Sequence, residues 1–411
     1  MNLLKGTFVA CLCAATLIGC DSKKKDVTVS SVNETAEIVH TDRIADLSVE
    51  KVKTTLAYLT VADSFPRNIS QGQKDWNLVG VTDWCSGFWP GVLWYAYELS
   101  DDPEIKAGAE KFTAPLKEIA YSPADNHDIG FMVYCSYGNG YRLTGNEEYK
   151  TVMLAAADTL ATLYNPKVGT ILSWPVMVPK IGYNTIIDNM MNLELLFWAA
   201  KNGGDKSLYD LADSHAEKSM QYLVRPDYSI YHVALFDEKT GKFKKGITHQ
   251  GYADDSMWAR GQGWGIYGFA MSYRETGKEA YLDTSIKLAD HFLERLPEDG
   301  IPYWDFDDPK IPDAPKDASA ASLIACGMLE LADQVKDKDL KEKYTNAAKS
   351  LMEKLESDTY FSGDTNEALL LHSTGHLPNN SEIDVPIIYA DYYFMEALLR
   401  LEKLEQNIAQ N

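Results

Sequence analysis

The chain has 411 residues, 45% hydrophobic and 11% aromatic, with a formal net charge of -21. That is ample apolar material for a large core, and the charge excludes nucleic acid or an anionic membrane surface as a partner. An anionic small molecule stays open to it, provided positive groups cluster locally.

The opening "MNLLKGTFVACLCAATLIGC" has one lysine, an apolar stretch and a small-residue end, and is too short to span a membrane. Residues 1–19 are expected to be a signal peptide. The ending "LIGC" is similar to a bacterial lipobox, which implies cleavage before Cys20 and a lipid on its thiol. Residues 20–40 read as a polar tether and 41–411 as one catalytic domain, facing the periplasm or the cell surface, with the lipid as its only membrane contact. Cys11, Cys13 and Cys20 belong to the leader and anchor. Cys85, Cys135 and Cys326 remain, too few to staple a body of this size, so at most one pair is expected.

From about residue 44 to 404 two kinds of helical segment alternate. One is amphipathic and charged, as in "IADLSVEKVKTTLAYLTVAD", "TGNEEYKTVMLAAADTLATLY" and "DKDLKEKYTNAAKSLMEKLES". Apolar residues recur there at three- and four-residue steps, the mark of a helix with one face on the core. The other is apolar nearly all round and rich in Gly, Ala and aromatics: "CSGFWPGVLWYAYEL", "DIGFMVYCSYGNGYRLT", "IIDNMMNLELLFWAAKN", "WARGQGWGIYGFAMSYRET", "DASAASLIACGMLELADQ" and "IYADYYFMEALLRLEK". Such helices are buried. Six inner helices, each with an outer partner, predict an all-α fold, a closed (α/α)6 barrel; a superhelical solenoid is the alternative. "GTILSWPVM" and "SIYHVALFDEKTGKF" predict short strands or hairpins in the loops.

Asp83, Asp128, Asp188, Arg260, Asp317 and Asp391 each fall at or near the start of an inner segment. Singly, each Asp reads as a helix N-cap. In a barrel all the inner helices run the same way, so these starts gather at one end as a ring of ionisable groups. Trp84, Trp89, Trp174, Trp258 and Trp264 lie in the same segments or the loops feeding them. Aromatic walls with convergent carboxylates suit a carbohydrate, and paired carboxylates perform most glycoside hydrolysis. Asp317 and Asp391 are expected to be caps. No HExxH, paired CxxC or GxSxG occurs, so no metal and no cofactor is expected. "GNGYRLTG" and "RGQGWG" read as close helix packing rather than phosphate loops.

Together, "HDIGFMVYCSYGNGYRLTG", "IIDNMMNLELLFWAA", "THQGYADDSMWARGQGWGIYGFA" and "IYADYYFMEALLRL" resemble the unsaturated glucuronyl hydrolases, glycoside hydrolase family 88. The resemblance implies removal of a terminal 4,5-unsaturated uronic acid from lyase-generated oligosaccharides. It implies Asp188 as general acid/base and Asp128 as the second carboxylate. His232, Gln250 and Arg260 would hold the uronate, with Trp258, Trp264 and Trp84 as sugar walls. For Arg260 a structural bridge to Asp254 or Asp255 is the competing expectation. The loop "LLLHSTGHLPNNSEIDVPIIY" would set substrate preference, with Ser373 and His376 as contacts beside Thr374 and Asn379. It has no lysine or arginine, so a dedicated sulfate clamp is not expected. Two other readings stay open: an unsaturated rhamnogalacturonyl hydrolase acting on pectin fragments, and a non-catalytic sugar-binding lipoprotein.

Overall fold

The computed structural model of the chain describes residues 30–409. The expected signal peptide and Cys20 lie outside the described residues. Ser30 to His40, read as the end of the tether, are helical. The chain divides at His40 and Thr41 into a short unit and a unit from Thr41 onward that holds the barrel, its first outer helix counted only from Thr41.

Twelve main helices alternate as the pattern predicts. The outer ones are α1 (Ser30–Tyr58), α3 (Pro103–Thr113), α5 (Glu147–Ala161), α7 (Ser207–Tyr222), α9 (Glu279–Arg295) and α11 (Lys338–Leu355). The inner ones are α2 (Phe88–Ser100), α4 (Asn139–Thr144), α6 (Asn189–Lys201), α8 (Ala259–Thr276), α10 (Ala318–Gln334) and α12 (Ile388–Ala409). Helix α4 is the end of a longer inner segment whose first part, Gly130–Gly138, is π-helical. Each inner segment packs on the next, and α12 returns to α2. The ring is therefore closed, a barrel and not a solenoid.

The two helix types differ as their sequences require. Helix α11 buries Tyr344, Ala348, Leu351, Met352 and Leu355, one stripe at helical spacing, and Asp337 caps it through the backbone N–H groups of Asp339 and Leu340. Helix α10 buries every residue from Ala318 to Ala332. Glycine makes such crowding possible. A Cβ on Gly130 would lie 2.6 Å from the Cα of Asn192, and one on Gly263 would lie 2.8 Å from Ile324. In the glycine-rich stretches Gly140 and Gly263 are packing devices, as expected, whereas Gly145 has open space around it and a positive φ. Cys85, Cys135 and Cys326 are buried and free.

Short strands fill the loops at the end where the inner helices begin. Strands β1 (Phe65–Asn68) and β2 (Asn77–Val79) form a hairpin, as do β3 (Tyr164–Asn165) and β4 (Thr170–Ile171). Strands β5 (Tyr183–Ile186), β6 (Val233–Phe236) and β7 (Phe243–Ile247) form one antiparallel sheet. Its register matters, because Ile186 pairs with Val233 and the N–H of Ile187 bonds the carbonyl of His232. That sets His232 beside Asp188.

Candidate active site

At this end of the barrel a cavity of about 240 Å³ is lined by Asp128, Asp188, Trp84, Gln250, Arg260 and His376, all expected there from sequence. His127, Arg67, Trp174, His249, Glu382 and Tyr389 also line it. A larger cavity of about 470 Å³, walled by Tyr134, Tyr141 and Trp198, has its arginines already paired, Arg142 with Glu98 and Arg400 with Glu330. Its two carboxylates, Glu194 and Glu396, are each ion-paired, with Arg274 and Arg400.

Asp128 is no helix cap: the segment that follows it has Ile129 at the cap position and no side-chain capping bond. Asp188 stands at the N-cap of α6 and likewise makes no capping bond. Both carboxyls are left for the cavity. Burial pushes Asp128 well above the usual carboxylate range, and the charges of Asp188, Asp83 and Asp125 push it further. Asp128 is thereby biased towards its protonated form.

Each carboxyl is faced by an imidazole. His127 Nε2 lies 3.4 Å from Asp128 Oδ1, and His232 Nε2 lies 3.5 Å from Asp188 Oδ2. His232 Nδ1 accepts from the backbone N–H groups of His249 and Gln250, both at 3.1 Å. Its own proton therefore sits on Nε2, towards Asp188. Burial holds His127 down to about 4, so it is neutral at physiological pH.

Arg260 does not bridge Asp254 or Asp255. Its Nη1 pairs with Asp317 Oδ2 at 2.7 Å, and Nη1 and Nη2 donate to the carbonyls of Thr374 and Gly375 at 2.8 and 2.6 Å. The guanidinium also stacks on Trp258 and Tyr389, 4.6 and 5.2 Å from the ring centres. Asp317 is thus more than a cap: it accepts from Ser319 N and is also the counter-ion of Arg260. Arg67 has the same kind of support, paired with Asp83 and Glu382 at 2.7 Å each. Asp391 is not a cap either. It is buried within the first turn of α12 and accepts from the N–H groups of Leu369 and Leu370.

Four expected contacts do not line the cavity, among them the buried His232 beside Asp188. Trp264 is fully buried, its ring packed on Phe131 and Tyr393, so it is core beneath the cavity and not a sugar wall. Trp258 stands one layer back, against His232 and Arg260. Ser373 is buried, its backbone paired with Val385, and it does not reach the cavity. His376 does, its Nε2 lying 3.3 Å from that of His249. Sequence reasoning overlooked His127 although it adjoins Asp128. Arg67 offered no signal, since a lone arginine in a hairpin has no periodic partner.

The profile of the Glycosyl Hydrolase Family 88 matches residues 59–396. The chain belongs to glycoside hydrolase family 88. It is 43% identical to an unsaturated glucuronyl hydrolase of Formosa agariphila, over 84% of this chain and 87% of that one. Among solved structures, an unsaturated glucuronyl hydrolase specific for heparin superposes with a TM-score of 0.85 at 40% identity, covering 89% of this chain and 98% of that chain. A mutant of the Streptococcus agalactiae unsaturated glucuronyl hydrolase, in complex with dGlcA-GalNAc6S, superposes with a TM-score of 0.77 at 29% identity, covering 92% of this chain and 98% of that one.

Proposed function

We propose that this protein removes the terminal 4,5-unsaturated uronic acid from lyase-generated oligosaccharides, with glycosaminoglycan disaccharides as the substrate class. The observation that carries the reading is the Asp128–Asp188 pair, both nearly buried and both lining one cavity walled by Trp84, Trp174 and Tyr389. A binding lipoprotein has no need of two like charges held together out of water, which is costly unless chemistry uses them. Asp188 is the acid/base. It delivers a proton to C4 of the enol ether, while charge develops at C5 and is spread onto the ring oxygen. The ionised carboxylate then takes a proton from the water that attacks C5. The hemiketal so formed opens, and the sugar leaves without attack at C1. An ordinary glycosidase instead builds charge at the anomeric carbon.

The decisive experiment is hydrolysis of an unsaturated disaccharide in heavy water, followed by loss of the ultraviolet absorbance of the double bond. One deuterium at C4 of the released keto acid is expected, with no cleavage of the saturated glucuronide. Keto acid lacking that deuterium, examined before it exchanges, would discard hydration. Faster turnover of unsaturated rhamnogalacturonan fragments than of glycosaminoglycan disaccharides would move the substrate class to pectin. A lipid on Cys20, holding the enzyme to the membrane on its periplasmic side, belongs to the same proposal. It is tested by incorporation of labelled fatty acid that Cys20→Ser abolishes.

A further inference from the structure

The larger cavity, of about 470 Å³, falls in the size range of small-molecule sites. It is lined by later turns of the inner segments, with Tyr141 from α4, Trp198 from α6 and Arg400 from α12. It therefore lies away from the helix starts that carry Asp128 and Asp188. Phe131 stands between the two cavities: it lines this one, and its ring packs on Trp84, which lines the other. The π-helical stretch gives Gly130, Tyr134 and Gly138 to the same wall. Helical turns of that kind are rare and often accompany functional sites.

The chemistry of the wall is specific. Aromatic surface comes from Tyr134, Tyr141 and Trp198, the last two edge to face at 5.6 Å. Charges are present but already matched, Arg142 with Glu98, Glu194 with Arg274 and Glu396 with Arg400. Hydrogen-bonding capacity is nevertheless left over. Glu396 is 6% exposed, and its Oε1 accepts from Tyr267 and Arg400, while its Oε2 makes no hydrogen bond among the described residues. Glu194 likewise engages Arg274 through Oε1 alone. The hydroxyl of Tyr393, a residue 2% exposed that lines the cavity, has no partner among the described residues either. Buried tyrosine hydroxyls and carboxylate oxygens seldom go unmatched.

This combination selects a neutral polyhydroxylated ring over an ion. An ammonium or a carboxylate entering the cavity would lose its hydration and find every charge there already countered. A pyranose can instead lay its C–H face on an aromatic ring and give hydroxyl protons to carboxylate oxygens in charge-assisted bonds. We propose that this cavity is a second saccharide site, taking a neutral pyranose against Tyr141 and Trp198, with Glu194, Glu396 and Tyr393 bonding its hydroxyls. The site is separate from the proposed hydration and does not rest on it.

Fluorine spectra of the full chain carrying 5-fluorotryptophan read both cavities at once, Trp198 for this one and Trp174 for the other. Trp198→Phe and Trp174→Phe assign the two signals. N-acetylglucosamine, titrated to about 50 mM to cover millimolar affinities, is expected to move the Trp198 signal saturably. Glucuronate, and choline as the cation an aromatic cage would otherwise hold, should each bind there at least about ten-fold more weakly, a gap of about 1.4 kcal/mol. Tyr393→Phe removes one hydroxyl and should weaken the sugar about three- to ten-fold, the worth of one hydrogen bond. Tyr141→Ala, at a half-buried position, should weaken it too. No saturable movement of Trp198, or movement of Trp174 alone, overturns the site. Glucuronate or choline binding at Trp198 as tightly as the sugar overturns the ligand class. An affinity unchanged in both Tyr393→Phe and Tyr141→Ala puts the sugar elsewhere and overturns the proposal as well.

Discussion

At the residue scale the site is a set of charges each made tolerable by a named neighbour. Asp188 carries the proposed proton transfer, so Asp188→Asn should bind substrate and keep its fold while losing roughly 10²–10⁴-fold in kcat. Near-normal turnover in that variant would move the acid to Asp128. Arg260 is tied to Asp317 and to two carbonyls of the loop over the cavity. A lysine has one charged atom where the guanidinium has a fork, and cannot reproduce that set of bonds. Arg260→Lys should therefore raise KM and lower kcat together, because it loosens Thr374 and Gly375 as well as the pocket cation. Unchanged kinetics would show that the loop needs no such clamp.

At the element scale one junction positions the pair and a second fixes the last inner helix. The π-helical stretch after Asp128 lies close against α6, with Gly130 on the backbone of Asn192. Gly130→Ala would force the two apart, at a cost of about 1–3 kcal/mol by analogy with overpacked cores. The expected result is a lower denaturation midpoint with a fall in kcat larger than stability alone explains; an alanine variant of wild-type stability would mean the segments have slack. The second junction is Asp391, which ties Leu369 and Leu370 to α12. Burial pushes it up to about 7, against the pull of the two backbone N–H groups. Between its usual value of 3.8 and about 7 the folded protein holds a proton that the unfolded chain has released. This group's contribution to stability therefore falls as pH rises through that window. Asp391→Asn carries no such proton, so its stability relative to wild type should improve from pH 5 to pH 8, by at most on the order of a few kcal/mol. Denaturation of both proteins at the two pH values checks the sign; a variant that fares worse at pH 8 would mean the N–H groups keep Asp391 ionised.

At the scale of the whole molecule the substrate and the protein repel. The chain's charge is -21, and the cavity's two arginines are already countered by Asp83, Glu382 and Asp317. A uronate, still more a sulfated one, must approach against that field. Raising ionic strength from about 0.01 to about 0.15 M shortens the screening length from about 30 to about 8 Å. The value of kcat/KM should then rise a few-fold, and more for a sulfated disaccharide than for an unsulfated one. A fall with salt would mean that local cations outweigh the net charge. Ring closure, α12 packed back on α2, is what turns separate helix starts into this one shared field.

The sequence by itself determined the barrel, because each helix type reports its own surroundings: one apolar stripe for an outer helix, apolar residues all round for an inner one. It also placed Asp128, Asp188 and Arg260 at one end, since alternating helices leave all inner starts on the same side. What it lacked was orientation within a turn. Trp264 carries the same aromatic signal as Trp84, yet one is core and the other lines the cavity, because Trp264 lies on an inner helix while Trp84 stands in the turn before one. Likewise Asp317 and Asp391 share a pattern, but one holds an arginine and the other two backbone N–H groups. His127, Arg67 and the imidazole opposite each carboxyl became visible only in three dimensions. Strand register and loop docking bring those groups together across up to 315 residues of chain, as between Arg67 and Glu382, and no local spacing encodes such a meeting.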